Sequence, residues 1–358
     1  MSNMQNLQKP IKKKKRPRKP LSEEGKPGRY DERNTLNDLT GKDWLLLTGS
    51  FWFSEPTVED KAAYAHPAPF MVRDIEKLIN LFTKKGMTVL DPFVGSGTTL
   101  LAANKLDRYA IGIDLNSEYK KIADKRLEAK GFSDYRYIVG DANKKLETLE
   151  SVDYIVTSPP YHNILRNNSK GTRHNNGKLY RMGARDGMQY YTDCDNDLGN
   201  FDEYIDFVSA LKDIMSKAFC KLRDSKYCSI VISDFTVNRV ETCVQADIVR
   251  LMQEIGFVFC GTTVLLQTVK PLYPFGYPYA YKINHHHQNI MTFLKPKHEI
   301  ARVRVNSNGN GKNEQSRKAA AQPNALLCSA EKRNGGRQVV MAFERKVEAN
   351  AIENAAMR

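Results

Sequence analysis

Long apolar runs are missing from this chain of 358 residues. No stretch approaches the roughly 18 consecutive apolar residues that a membrane-spanning helix needs, so no membrane contact through such a helix is expected. The N-terminus is basic and lacks an apolar core segment, which argues against a secretory signal. Cysteine is sparse and scattered, at positions 194, 220, 228, 243, 260 and 328, with no Cys-x-x-Cys pair. That spacing offers no zinc or dithiol motif and suits reduced thiols in a cytosolic protein. The triplet His285-His286-His287 has no carboxylate at a matching spacing, so no metal is expected there. Two nucleotide-binding signatures are also absent: no Gly-Lys-Ser/Thr follows a glycine-rich turn, and there is no Gly-x-Gly-x-x-Gly.

Positive charge, by contrast, is abundant and uneven. The net charge is +14. Residues 1–30 hold 10 Lys/Arg against 2 Asp/Glu, and residues 297–358 hold 12 against 6, which leaves 31–296 neutral. Basic tails on a neutral body suit a polyanionic partner, or serve solubility alone. Residues 1–40, centred on the run from Lys12 to Pro20, have too few apolar groups to offset chain entropy and are expected to be a disordered tail. They could contact phosphates without sequence preference, and a nuclear-localisation role is the other reading of such a run.

The pattern of the neutral body is that of alternating strands and helices. Structure is expected to begin near Asp43 to Thr48 and Phe51-Trp52-Phe53, which carry both tryptophans. His66-Pro67-Ala68-Pro69-Phe70 follows, and then apolar residues at helical spacing, Met71, Val72, Ile75, Leu78, Ile79 and Phe82. A short strand at Thr88-Val89-Leu90 runs into Asp91-Pro92-Phe93-Val94-Gly95-Ser96-Gly97-Thr98-Thr99 and a helix. Strand, Gly-x-Gly turn and helix together form a nucleotide-type cradle, although a Gly-x-Gly alone is weak. The strand Tyr109 to Ile113 ends in Asp114, placed to accept from ribose hydroxyls. Asn116 caps the next helix, and the strand Tyr135 to Val139 ends in Gly140-Asp141. The strand Val152 to Val156 delivers Thr157-Ser158-Pro159-Pro160-Tyr161. Two prolines hold that segment extended, so that carbonyls, a hydroxyl and an aromatic face meet whatever lies beyond the strand. Such a set suits an exocyclic amine on a planar ring. Three acids and the Pro-Pro motif at four successive strand ends are more specific than any one of them.

Beyond Tyr161 the residues of 163–200 are rich in Asn, Gly and basic side chains, including Arg166, Lys170, Arg173, Lys178, Arg181 and Arg185. A connection this long points to a functional loop or an insertion. A long amphipathic helix from Asp202 to Leu222, a strand Tyr227 to Ile232, a helix Cys243 to Ile255 and strands Phe257 to Gln267 and Asn289 to Leu294 complete the body. Between the last two strands, Pro271 to Tyr279 is rich in aromatics and proline. It either paves a base-contacting surface or packs over the sheet edge. Past Pro296 the chain turns polar, with a weak helical signal in 338–350.

These motifs, in this order, resemble the S-adenosylmethionine-dependent DNA amino-methyltransferases that modify cytosine N4 or adenine N6. Asp91 to Thr98 resembles the cofactor motif of that family, Ser158-Pro159-Pro160-Tyr161 its catalytic motif, and His66 to Phe70 the segment over the methionine part of the cofactor. Asn284 to Pro296 resembles its late strand. The resemblance implies an α/β fold: a doubly wound, mostly parallel Rossmann-like sheet of the class I methyltransferase type, with a basic loop insertion and flexible tails. It divides the chain into a tail (1–40), a methyltransferase domain (41–296), with 163–200 as target-recognition loop, and a basic extension (297–358). It implies that S-adenosylmethionine is held by Pro67, Phe70, Asp91, Phe93, Gly95, Gly97, Thr98, Asp114 and Asp141. Ser158, Pro159, Pro160 and Tyr161 are implied as catalytic, with Ser158 and the Pro159 carbonyl accepting from the target amine and Tyr161 stacking on the base.

Ser158, where Asn or Asp is typical of adenine and guanine amine enzymes, resembles the cytosine-N4 branch, with adenine N6 as the alternative. Carbon-5 methylation fits poorly, since it needs a thiolate and no cysteine follows a proline. A rival of another class is a non-catalytic DNA-binding paralogue, against which the intact motifs argue. The resemblance further implies double-stranded DNA as partner, no metal, and a bacterial or phage-encoded protein of the cytoplasm and nucleoid. A cognate restriction endonuclease is not legible in the residues.

Overall fold

The computed structural model describes residues 28–66, 69–166, 190–268 and 270–297. The basic run at 12–20, Pro67, the cations from Lys170 to Arg185 and the helical signal at 338–350 lie outside the described residues. In chain order the elements are α1 (Gly41–Leu47), β1 (Phe51–Phe53), α2 (Val72–Phe82), β2 (Thr88–Asp91), α3 (Thr98–Lys105), β3 (Tyr109–Asp114), α4 (Ser117–Glu128) and β4 (Tyr135–Val139). Then come α5 (Ala142–Lys145), β5 (Val152–Thr157), α6 (Tyr204–Lys221), β6 (Leu222–Ile232), β7 (Phe235–Val237), β8 (Val240–Thr242), α7 (Val244–Ile255), β9 (Val258–Leu266) and β10 (His287–Leu294). No helix among the described residues is long and apolar enough to cross a membrane.

Eight strands form one sheet in the order β1-β9-β10-β6-β5-β2-β3-β4, in which β10 alone runs antiparallel to its neighbours. Strand β5 reads Val-Asp-Tyr-Ile-Val-Thr and is buried along its whole length, as a central strand covered on both faces must be. Its one acid is neutralised in place: Asp153 accepts from the Thr88 amide at 3.0 Å and pairs with Arg223 at 2.6 Å. Helices α2, α3 and α4 bury Ile75, Leu78, Leu100 and Leu127 on one face of the sheet. Helices α6 and α7 bury Phe207, Leu211, Ile248 and Met252 on the other. The sheet is therefore doubly wound. Its direction of growth reverses between β2 and β5, and the crevice beyond their carboxyl ends is where such folds bind ligands.

The body begins earlier than the boundary at 41. Asn37 is fully buried and donates to the Leu81 carbonyl at 2.7 Å, and Asp38 pairs with the buried Arg108 at 3.1 Å. Leu36, Leu39 and Asn37 are too few to reveal this by periodicity, because the attachment is made by polar side chains. Among the described residues Cys194, Cys228, Cys243 and Cys260 are free thiols.

Candidate active site

The carboxyl ends of β2, β3, β4 and β5 converge on one cavity that opens to solvent. Asp114 and Asp141 line one side, and Ser158, Pro159, Pro160 and Tyr161 the other, with Phe93 between them. The strand register places them there: β2 pairs with both β3 and β5, so their tips are neighbours.

Asp114 is the best-formed acceptor. One carboxylate oxygen accepts from the Asn116 amide at 2.8 Å and the other from the Gly95 amide at 2.9 Å. Each oxygen keeps a further lone pair toward the cavity. Burial raises its pKa to about 6 against these stabilising amides. Asp141 caps α5 by accepting from the Asn143 amide at 2.8 Å and lies 3.4 Å from the Asn196 amide nitrogen.

Four of the residues implied as cofactor contacts are engaged within the protein and are not among the cavity-lining residues. Asp91 is 1% exposed and faces away from the cavity. Its carboxylate accepts from Thr99 Oγ1 at 2.5 Å, Thr157 Oγ1 at 2.6 Å and the Phe93 amide at 3.0 Å. It thus ties the start of α3 to the end of β5. Gly97 has φ 80° and a Cβ there would lie 2.5 Å from Ala123 Cβ, so its place is set by the packing of α3 on α4. Thr98 is buried and accepts from Arg126 Nη1 at 3.1 Å, which also donates to the Ser96 carbonyl at 2.6 Å. Phe70 is half-buried against the apolar cluster on the α2 side of the sheet and is not among the cavity-lining residues.

The Pro-Pro-Tyr wall is held from behind. Gln288 Nε2, at the start of β10, donates to the Tyr161 hydroxyl at 2.6 Å, and Gln267 Nε2 donates to Gln288 Oε1 at 2.9 Å. Tyr161 stacks on Phe235 with ring centres 5.9 Å apart and planes 17° from parallel. Burial raises its hydroxyl pKa, while bonds from Ser158, Gln288 and Ser233 act in the opposite direction. His162, next in the chain, turns away in a left-handed conformation (φ 47°) and is buried against Tyr204 and Phe207.

Two further parts of the lining come from His66, in the segment expected over the methionine part of the cofactor, and from residues 191–198, which were not foreseen there. His66 packs edge-on against Tyr119, ring centres 4.6 Å apart, and lies 5.8 Å from Tyr191. Residues 191–198, expected to belong to a DNA-contacting loop, instead form a wall of the cavity, fixed by Asn116 Nδ2 donating to the Tyr191 carbonyl at 2.9 Å. Only the aromatic Tyr190-Tyr191 pair, set in a polar basic loop, hinted at this in the sequence.

The family model for N6/N4 DNA methylases matches residues 3–125, and a methyltransferase-domain model matches residues 83–248. These matches support a relation to the N6/N4 DNA methylases. It is 45% identical over 102 residues to the type II methyltransferase M2.DpnII of Streptococcus pneumoniae, covering 28% of this chain and 36% of that one. It is 34% identical over 123 residues to the type II methyltransferase M.BglI of Bacillus subtilis, covering 32% and 35%. A tRNA (guanine(10)-N2)-dimethyltransferase of Pyrococcus abyssi is 33% identical over 104 residues, covering 28% and 31%. The matched segments thus span about a third of the length of these curated relatives.

The methyltransferase-domain match implies S-adenosylmethionine as the cofactor, and the cavity fits it chemically. Asp114 offers two acceptor oxygens for a diol, Asp141 an acceptor for an amine, and His66, Phe93 and Tyr191 flat apolar surface for the rest. Among the described residues no group of three His, Cys, Asp or Glu side chains is placed to hold a metal ion.

Proposed function

We propose that this protein is an N6/N4 DNA methylase that transfers a methyl group to the exocyclic amine of a flipped-out base in double-stranded DNA, with cytosine N4 as the target. One observation carries the reading: the acidic tips of β3 and β4 and the Ser-Pro-Pro-Tyr segment of β5 line the same cavity. Asp114 would hold the ribose hydroxyls and Asp141 the adenine amine, while Phe93 and the Gly95 amide region shape the floor. S-adenosylmethionine, when bound, supplies an electrophilic methyl group on a sulfonium.

The remaining work falls to the chain. A base inside a duplex is out of reach, and extruding it costs a few kcal/mol, on the order of what stacking on one aromatic ring returns. Tyr161, whose hydroxyl is anchored by Gln288, would supply that stacking. Ser158 Oγ and the Pro159 carbonyl accept hydrogens from the target amine. Those bonds draw the nitrogen lone pair out of conjugation with the ring and aim it, so that rate comes from positioning and electrostatics without a covalent intermediate.

The test is to incubate the full chain with DNA and methyl-labelled cofactor, then separate the nucleosides. Label in N4-methylcytosine is the expected result. Label in N6-methyladenine would overturn the choice of base, since a serine hydroxyl can accept from either amine. Unlabelled DNA would overturn the enzyme reading in favour of a DNA-binding protein without transfer activity.

A further inference from the structure

Strands β9 and β10 are joined by residues 268–286, which extend from the sheet just beyond the last ladder bond, Gln267 N to His286 O at 2.7 Å. This connection is tightly built. The Asn284 side chain accepts from the Tyr273 amide at 3.0 Å and donates to the Tyr273 carbonyl at 2.9 Å. At the tip the Tyr279 and Ala280 amides both donate to the Gly276 carbonyl at 2.8 Å. Gly276 has φ 75°, and a Cβ there would lie 2.3 Å from the Ala280 carbonyl oxygen, so only glycine closes this turn.

On that frame three of the five aromatic rings stand in water, while Tyr273 and Phe275 are half-buried. Tyr277, Tyr279 and Tyr281 are 81%, 94% and 90% exposed, and Leu272 is 76% exposed. Lys270 and Lys282 are exposed beside them, and residues 268–286 contain no acid. His285 Nε2 lies 3.0 Å from Glu241 Oε1 on the hairpin formed by β7 and β8, whose tip exposes Arg239. That hairpin starts at Phe235, on which Tyr161 stacks, and β10 starts next to Gln288, which holds the Tyr161 hydroxyl. The tyrosine turn is therefore continuous with the Pro-Pro-Tyr wall of the cavity.

Three rings held in water on a fixed turn suit a partner with flat faces, and the flanking cations suit one with phosphates. A paired duplex hides its base faces in the stack. Extruding one nucleotide uncovers faces on both sides of the gap and leaves its partner unpaired. We propose that the turn at 270–283 is a stacking surface for unpaired nucleotides beside the flipped-out base. The role rests on the DNA reading above, but it assigns to this turn a job separate from the chemistry.

The test uses the full chain, a Tyr277→Ala, Tyr279→Ala, Tyr281→Ala variant and its Tyr→Phe counterpart. Anisotropy of labelled oligothymidylate and of a random duplex of equal length gives the two affinities. The alanine variant is expected to lose at least about tenfold on oligothymidylate and less than about twofold on duplex, with the phenylalanine variant near wild type, because stacking needs the ring and not the hydroxyl. Cofactor affinity and unfolding midpoint, unchanged in both variants, verify the fold. Wild-type protein that does not bind oligothymidylate, an equal loss on both DNAs, or a phenylalanine variant as weak as the alanine variant would each overturn the proposal. A chain that shows the tyrosine effect yet puts no label into DNA would overturn the methylation reading alone, and labelled DNA without a tyrosine effect would overturn this one alone.

Discussion

Asp91 and Asp114 end adjacent parallel strands, precede or follow the same glycine turn, and carry carboxyls that burial raises to about 6. In the folded protein they face opposite ways. Asp91 spends its acceptors on Thr99, Thr157 and the Phe93 amide, all within the protein. Asp114 uses one lone pair of each oxygen on the amides of Gly95 and Asn116 and turns the rest to the cavity. The first carboxylate assembles the site by tying β2, β5 and α3 together. The second furnishes it. A strand-tip acid is thus a ligand contact only when its neighbours leave it acceptors to offer.

The comparison breaks most sharply at Asp91. Asp91→Ala removes three hydrogen bonds and strands two buried hydroxyls and an amide, which should cost about 3 kcal/mol of stability. Urea unfolding followed by circular dichroism measures it. A variant of wild-type stability would mean that water satisfies these groups and that the tie between β5 and α3 is not needed.

Asp114→Asn should shift the balance, costing less stability than Asp91→Ala because only one of two backbone amides loses its acceptor, while weakening cofactor binding about tenfold or more, the worth of a hydrogen bond to a charged acceptor. pH gives an independent reading. Protonation turns one acceptor oxygen into a donor, so cofactor affinity should fall as pH drops through about 6, and the asparagine variant should lose most of that slope. Stability runs the other way. A carboxyl raised from 3.8 to about 6 stabilises the native state fully below 3.8 and ceases to do so as pH rises through 6. Calorimetric titration between pH 5 and pH 8 tests the affinity, and a slope preserved in Asp114→Asn would take the ribose role away from Asp114.

The positions of these acids were legible before the structure, because each lies where a strand pattern gives way to glycine or a helix cap. Which way each side chain faces was not. Asp91 is satisfied by Thr157, 66 residues away, and Thr98 by Arg126, 28 residues away. Such contacts leave no local periodicity. The same limit hid the wall at 191–198, whose anchor on Asn116 spans 75 residues, and the hairpin of β7 and β8, whose strands of three residues are too short for an alternation to register. The Pro-Pro motif was readable for the opposite reason: two consecutive prolines restrict the backbone whatever surrounds them.

Gln288 offers the finest version of the contrast between assembling a site and furnishing it. It lies 127 residues from Tyr161 and bonds its hydroxyl at 2.6 Å, while Gln267 fixes its amide in turn. It acts through Tyr161, as Asp91 acts through Thr157, but at the edge of the cavity rather than beneath it. Gln288→Leu should lower kcat about fivefold, near 1 kcal/mol for one tethering bond, with cofactor affinity and unfolding midpoint unchanged. Tyr161→Phe removes the same bond from its other end. If the glutamine works only by holding the ring, the double variant should lose no more than the worse single variant. Fully additive losses would show that Gln288 acts on the transfer by a route other than the tyrosine hydroxyl.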